Sequence, residues 1–282
     1  MKTFSLYRDF FEVLDRKSFP AEKWEPYRSL YYHPHREFLR TYFTHFPLLN
    51  AQSLRQRVEA IKISDYSTLR HLVSTCPPEK LIKEAYIKCI NIKPPEEEPD
   101  VYLFIGFFSP DGFVMNYKKK PIICFGLERF KDFGLLKNLF AHEYAHFLLS
   151  QGREEIPEEK RFQWLIISEG VATYLSQQAF PNRKLSDHLL FTNDKLNWCQ
   201  KNESYIREKY FSGKLTSQEL INLYTLGDPN LDIPPRAGRY LGFQAVKRYV
   251  NSRPEGGIQE LLSDRNKALD MIRPLLSLKR LF

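Results

Sequence analysis

Apolar positions in the first hundred residues recur at three- and four-residue steps. Phe4, Tyr7, Phe10, Phe11 and Leu14 mark one such run, and Leu81, Ala85 and Tyr86 mark another. This spacing predicts a helical lobe over residues 1–98. Pro20, Pro26, Pro34 and Pro47 keep its helices short or broken, and Pro77-Pro78 opens a helix over about 79–91. The breaker Lys93-Pro94-Pro95-Glu96-Glu97-Glu98-Pro99 is too short for a linker and marks a seam.

The period then changes. Val101-Tyr102-Leu103-Phe104-Ile105-Gly106-Phe107 is β-branched and aromatic without a helical step, and Pro121-Ile122-Ile123-Cys124-Phe125 is a second such run. Pro110-Asp111-Gly112 is turn chemistry, and Lys118-Lys119-Lys120 falls where a turn between strands is expected. A small mixed sheet over about 100–127 follows. Helical spacing returns at Leu135, Leu136, Leu139, Phe140, Phe147 and Leu148, predicting a helix over about 134–151 that Gly152 stops. Further helices are expected over about 158–179, 186–210 and 236–251, with two short ones in the tail. The fold class is α+β, mostly helical with a small mixed sheet. Residues 99–282 form the second lobe.

Composition narrows the class. Of 282 residues, 43% are hydrophobic and 27% charged, and 22 Phe and 16 Tyr can fill a sizeable core, which excludes a disordered chain. The net charge of +8 raises the question of nucleic acid, but basic residues are dispersed among acids, so no nucleic-acid partner is expected. Cys76, Cys89, Cys124 and Cys199 form no CxxC pair and are expected as free thiols. Charged residues interrupt the N-terminus before an apolar stretch forms, and no run approaches the ~18 residues of a membrane span. A cytoplasmic location without a membrane span is the expectation.

The chemistry concentrates in His142-Glu143-Tyr144-Ala145-His146, an HExxH on a helical stretch. Four residues is about one turn, so both imidazoles leave one face and can grip one ion. Glu143 is one step round and can reach a metal-bound water without ligating. The bland alternative is two helical histidines satisfied by hydrogen bonds. Catalytic zinc takes three protein ligands, so a third should face this helix. Glu169 stands among Trp164, Leu165, Ile166, Ile167, Val171 and Ala172, and a carboxylate in such surroundings is costly unless paired or metal-bound. Gly170 beside it is a poor helix former and suggests a close helix–helix approach.

The HExxH followed by Glu169-Gly170-Val171-Ala172 resembles the gluzincin metallopeptidases, and within them a bacterial family of predicted zinc-dependent proteases. The resemblance covers roughly residues 100–252 and includes Gly238-Arg239-Tyr240-Leu241-Gly242. It implies a zincin-like fold and a catalytic second lobe. It also implies Zn²⁺ on His142, His146 and Glu169, Glu143 as general base, and Tyr240 as donor to the oxyanion, with Arg239 and Arg236 as rivals. Many members carry an Asp where Thr173 stands. Thr173 and Asn138 are therefore candidates to support a zinc histidine. The implied activity is zinc-dependent hydrolysis of a peptide or protein substrate, aligned as an added strand along residues 101–107 or 112–116. The alternatives are a zinc hydrolase of a non-peptide amide or ester, and a catalytically silent, metal-braced binding module. His33, His35, His45, His71 and His188 have no metal spacing and read as surface or packing residues.

Overall fold

A computed structural model of the chain describes residues 1–19, 21–46, 51–107, 110–151 and 156–277. The expected breakers Pro20 and Pro47 and the helix stop Gly152 lie outside the described residues. The chain is α+β, mostly helical with one small mixed sheet. It divides into two compact units.

The first unit comprises Met1–Glu84 and Pro95–Lys137. Its sheet holds β1 (Lys2–Ser5), β2 (Asp100–Phe104), β3 (Phe113–Tyr117) and β4 (Lys120–Gly126), in the order β1-β2-β4-β3. β1 and β4 both run parallel to β2, and β3 returns antiparallel to β4. The β3–β4 hairpin turns on Lys118 and Lys119, both with positive φ, which matches the twist of the flanking strands. Lys118 pairs with Glu37 and Lys120 with Glu97, each at 2.7 Å on the surface. The expected turn at the triple lysine is therefore present. Val101 to Phe104 are buried on both faces, as an unbroken apolar run in an inner strand should be. Tyr102 stacks against Phe4 on one side and Phe38 on the other, at centroid distances of 4.6 and 4.5 Å.

Two expectations need correction here. Residues 1–98 are not wholly helical, because Lys2–Ser5 is a strand. Phe4 falls in step with the helical spacing of the next segment, Tyr7–Leu14, but its burial alternates with its neighbours. That strand is also why the seam near residue 98 does not divide the molecule: β1 hydrogen-bonds along β2 and joins the first residues to the sheet. Since β2 lies between two strands, residues 101–104 offer no open edge; β3 does.

The second unit comprises Ala85–Pro94 and the chain from Asn138 onward. Three helices organise it: the His helix (Leu136–Ser150), the Glu helix (Arg161–Ala179) and the glycine helix (Gly238–Asn251). The Glu helix carries apolar residues nearly all round and is buried on most of its surface, the mark of a central helix. It crosses the glycine helix backbone to backbone. A Cβ on Gly170 would stand 2.3 Å from the carbonyl carbon of Gly242, and one on Gly242 would stand 2.0 Å from the Ile166 oxygen. The close approach expected of Gly170 is thus present. The single helix expected over 186–210 is instead three: Leu185–Leu189, Asn193–Lys201 and Glu203–Phe211. Leu190 turns left-handed to end the first, and the Thr192 side chain accepts from the Lys195 N–H to begin the second. Among the described residues no helix is long and apolar enough to cross a membrane, and the four cysteines are free.

Candidate metal centre

Every residue of the predicted metal cluster lies in the second unit. The His helix is fixed by its far face. Tyr144, fully buried, donates to the Lys93 carbonyl at 2.8 Å and packs its ring against Tyr86 and Phe140. One turn of helix then sets the two imidazoles together, with Nε2 of His142 and Nε2 of His146 3.2 Å apart. The Glu helix brings Glu169 to them. Its Oε2 lies 3.3 Å from His142 Nε2 and its Oε1 lies 3.8 Å from His146 Nε2. One ligand atom from each residue falls within 4.8 Å of every other. Bonds of about 2.0–2.1 Å in a tetrahedron separate neighbouring ligand atoms by roughly 3.3–3.4 Å. The observed spacings are close to that edge, so these residues fit a zinc-sized ion.

The electrostatics point the same way. Burial pushes His142 down to about 4, against the pull of Glu169, and burial also lowers His146. Both rings are therefore neutral at pH 7, the form that ligates metal. Burial pushes the Glu169 carboxyl up, but Arg239 above all, with the two histidines, holds it well below the usual carboxylate range. Glu143 is the opposite case: burial, helped by the Glu169 charge, pushes it up to about 8. Around this cluster, His142 Nδ1 and Arg239 Nε are buried without a hydrogen-bond partner. Glu169 Oε2 makes close ion-pair contacts without a well-aligned hydrogen bond. Buried polar atoms are normally satisfied, so this concentration marks a site with unused bonding capacity.

The fourth partner was not foreseen in its role. Arg239 places Nη2 2.6 Å from Glu169 Oε2 and donates from Nη1 to the Leu189 carbonyl at 2.9 Å. It neutralises the carboxylate that two uncharged histidines cannot. The sequence offered one signal, a charged residue between two glycines in a helix that packs tightly.

Tyr240 is not at the cluster. It is 1% exposed, and its hydroxyl faces Glu203 Oε2 at 3.4 Å. Its neighbour on the helix, Arg239, takes the face toward Glu169, and one residue step of about 100° turns Tyr240 away. Thr173 does not support an imidazole either; its hydroxyl donates to the Glu169 carbonyl of its own helix. Asn138 sits 3.1 Å from His188 Nδ1, where Ser176 also meets that ring, so it serves His188 rather than a metal histidine. His188 is a buried packing residue.

Comparison with known proteins assigns a different neighbourhood from the expected one. The family model of the gliding motility protein GldB matches residues 136–270, just under half of the chain. No curated protein matches, and no solved structure matches. The matched segment contains His142, Glu143, His146, Glu169 and Tyr240. Its likeness is thus to a gliding motility protein and not to a zinc metallopeptidase family. The gluzincin resemblance, and the peptidase and hydrolase activity drawn from it, are corrected accordingly.

Proposed function

We propose that this chain is a non-catalytic, metal-braced component of a gliding-motility system, with one Zn²⁺ held by His142, His146 and Glu169. The observation that carries the metal is the convergence of two neutral imidazoles and one carboxylate at near-tetrahedral spacing. The likeness of residues 136–270 to the gliding motility protein GldB supports the cellular role. A zincin-like pairing of the His and Glu helices belongs to the same reading. The ion would join two helices that otherwise meet through an acid and two uncharged rings. Arg239 would hold Glu169 ionised and aimed, as supporting residues do around ligating carboxylates.

Elemental analysis of the purified protein tests the metal. About one Zn²⁺ per chain is expected, with Glu169→Gln losing it. A protein that neither carries zinc nor takes it up on dialysis against the ion would overturn this half. The role is tested separately, by deleting the gene in the source organism and scoring surface spreading. Loss of spreading, restored by the wild type and equally by Glu143→Gln, is the expected result. Restoration by the wild type alone, with zinc still bound in the variant, would show that Glu143 has work to do and that the component is not silent.

A further inference from the structure

An open pocket in the second unit is lined by none of the three ligands. It is a pocket of about 400 Å³, mostly apolar and wide open to solvent. One wall is the helix Asn193–Lys201, which contributes Lys195 and Trp198. The other is the end of the helix Ser217–Leu226 with the loop that follows it, contributing Leu226, Ile233, Pro234 and Pro235. The loop is built rather than loose. Asp228 and Ile233 exchange backbone hydrogen bonds at 2.8 and 3.0 Å, Asp228 caps the short turn Pro229–Leu231, and the Arg236 N–H donates to the Tyr224 carbonyl. Leu226 on this rim is 72% exposed, the largest exposure among the large hydrophobic residues described. An exposed leucine beside a tryptophan and two prolines is an apolar surface in want of a partner.

Lys195 gives the pocket its chemistry. It is half-buried, with Nζ 4.1 Å from the centre of the Phe191 ring, and no carboxylate pairs with it among the described residues. Burial above all lowers its pKa to about 8, with Arg239 and Arg236, both of its own sign, acting the same way and Cys199 acting against them. It also stands in the first turn of its helix, where the positive end of the backbone dipole disfavours a cation. A cation held in apolar surroundings, near two arginines and the start of a helix, is a place that a negative charge would relieve. Asp194 and Asp232 line the same pocket.

We infer that this pocket binds the carboxyl end of a partner polypeptide: the terminal carboxylate against Lys195, the last apolar side chain on Trp198, Leu226 and Ile233. A half-buried lysine on an apolar, built wall supplies a charge that a terminal carboxylate can pair with. The shape decides between a peptide and a free fatty carboxylate. An acyl chain needs an enclosed slot to cover its methylenes, whereas this pocket is open and gives a longer polymer room to leave it. Asp194 and Asp232 would favour a basic residue upstream of the terminal one. The inference does not depend on the metal.

The test uses the full chain and two peptides, acetyl-Lys-Gly-Leu-Phe with a free carboxylate and the same peptide as its terminal amide. Binding is followed by calorimetry. The acid is expected to bind at least tenfold more tightly than the amide, about 1.4 kcal/mol. Lys195→Met should abolish that preference, and Leu226→Ser, a change at an exposed position, should weaken both peptides. Because the acid–amide comparison is made on the wild-type protein, a misfolded variant cannot decide the matter. Equal binding of acid and amide, or no binding at millimolar peptide, overturns the inference. Binding of octanoate with no binding of the peptide acid overturns it too, in favour of a free carboxylate ligand.

Discussion

Glu203 and Glu169 both turn inward in the second unit, and they do different things. Glu203 meets Arg207 at 2.8 Å, Arg248 at 3.2 Å and the Tyr240 hydroxyl at 3.4 Å. Arg207 in turn donates to the Leu276 carbonyl. This group ties the helix Glu203–Phe211 to the glycine helix and to the end of the helix Arg265–Ser277. Glu169 has one arginine and two neutral histidines, and the atoms around it keep capacity unused. A buried charge surrounded by donors is a fastening. A buried charge facing lone pairs, with an arginine at its back, is a socket. The contrast separates structure from binding more sharply than burial does, since both acids lie deep in the same helical unit.

The fastening should fail hardest. Glu203→Ala leaves Arg207, and in part Arg248, buried beside nothing of opposite sign. Breaking a buried pair on one side costs about 3–5 kcal/mol. Urea denaturation at pH 7 should show a loss of that size. A loss below about 1 kcal/mol would mean the group is ornamental.

The socket can be separated from the fastening by pH, through Glu143. Its folded-state pKa of about 8 lies above the usual 4.5, so folding favours its protonated form. That contribution is complete below about pH 4.5 and is lost as pH rises through 8. Glu143→Gln has no such proton to lose. In metal-free protein the variant should gain on the wild type by an amount on the order of 3 kcal/mol between pH 5 and 9. His142 works in the other direction: with its pKa lowered to about 4, its contribution is present above about 6.5 and lost as pH falls. The wild type minus variant difference removes that term. A difference that stays flat with pH would show that Glu143 is not desolvated.

Zinc sharpens the comparison next. An ion that binds only the folded chain adds about 2.7 kcal/mol at a hundredfold excess over its Kd. A chelator should therefore lower the melting temperature of the wild type and leave Glu169→Gln unmoved. Glu203→Gln, wherever it still folds, should keep the chelator response. A chelator shift retained in Glu169→Gln would remove Glu169 from the ligand set.

What could be read in advance follows from which contacts are local. His142 and His146 are one turn apart, so spacing alone puts them on one face. Glu169 stood out as an acid amid apolar neighbours, and Gly170 as a glycine inside a helix. The inner strand β2 and the hairpin at Lys118-Lys119 were legible from a period and a turn. Non-local partners left no such trace. Lys2–Ser5 becomes a strand only because Asp100–Leu103 lies alongside, and four residues are too few to set a period of their own. Leu190 and Asn202 break an apparently continuous helix where tertiary packing redirects the chain, and propensity yields to packing in such places. Arg239 was read as a donor to a substrate, whereas its partner is the Glu169 carboxylate on another helix. Lys195 had no signal at all, because a lone lysine in a helix reads as solvated until its surroundings are known.

Tyr240 provides the finest division between the two regions, and the smallest effect. The resemblance to a peptidase assigned its hydroxyl to an oxyanion, which would put it on the Glu169 side of the glycine helix. The structure puts it on the Glu203 side, at 3.4 Å from an acid that already has two arginines. Tyr240→Phe removes one long hydrogen bond and keeps the ring, which is fully packed. Glu203 keeps its charge partners, so the cost should be about 1 kcal/mol or less. Zinc content and the chelator shift should be unchanged, because the phenol hydroxyl faces Glu203. Double-mutant analysis with Arg248→Met checks the assignment from the other direction. A coupling of a few tenths of a kcal/mol or more is expected between two residues that share Glu203, and none between Tyr240→Phe and Glu169→Gln. Loss of zinc from Tyr240→Phe, or strong coupling of it to Glu169, would join the fastening and the socket into one network and undo the distinction.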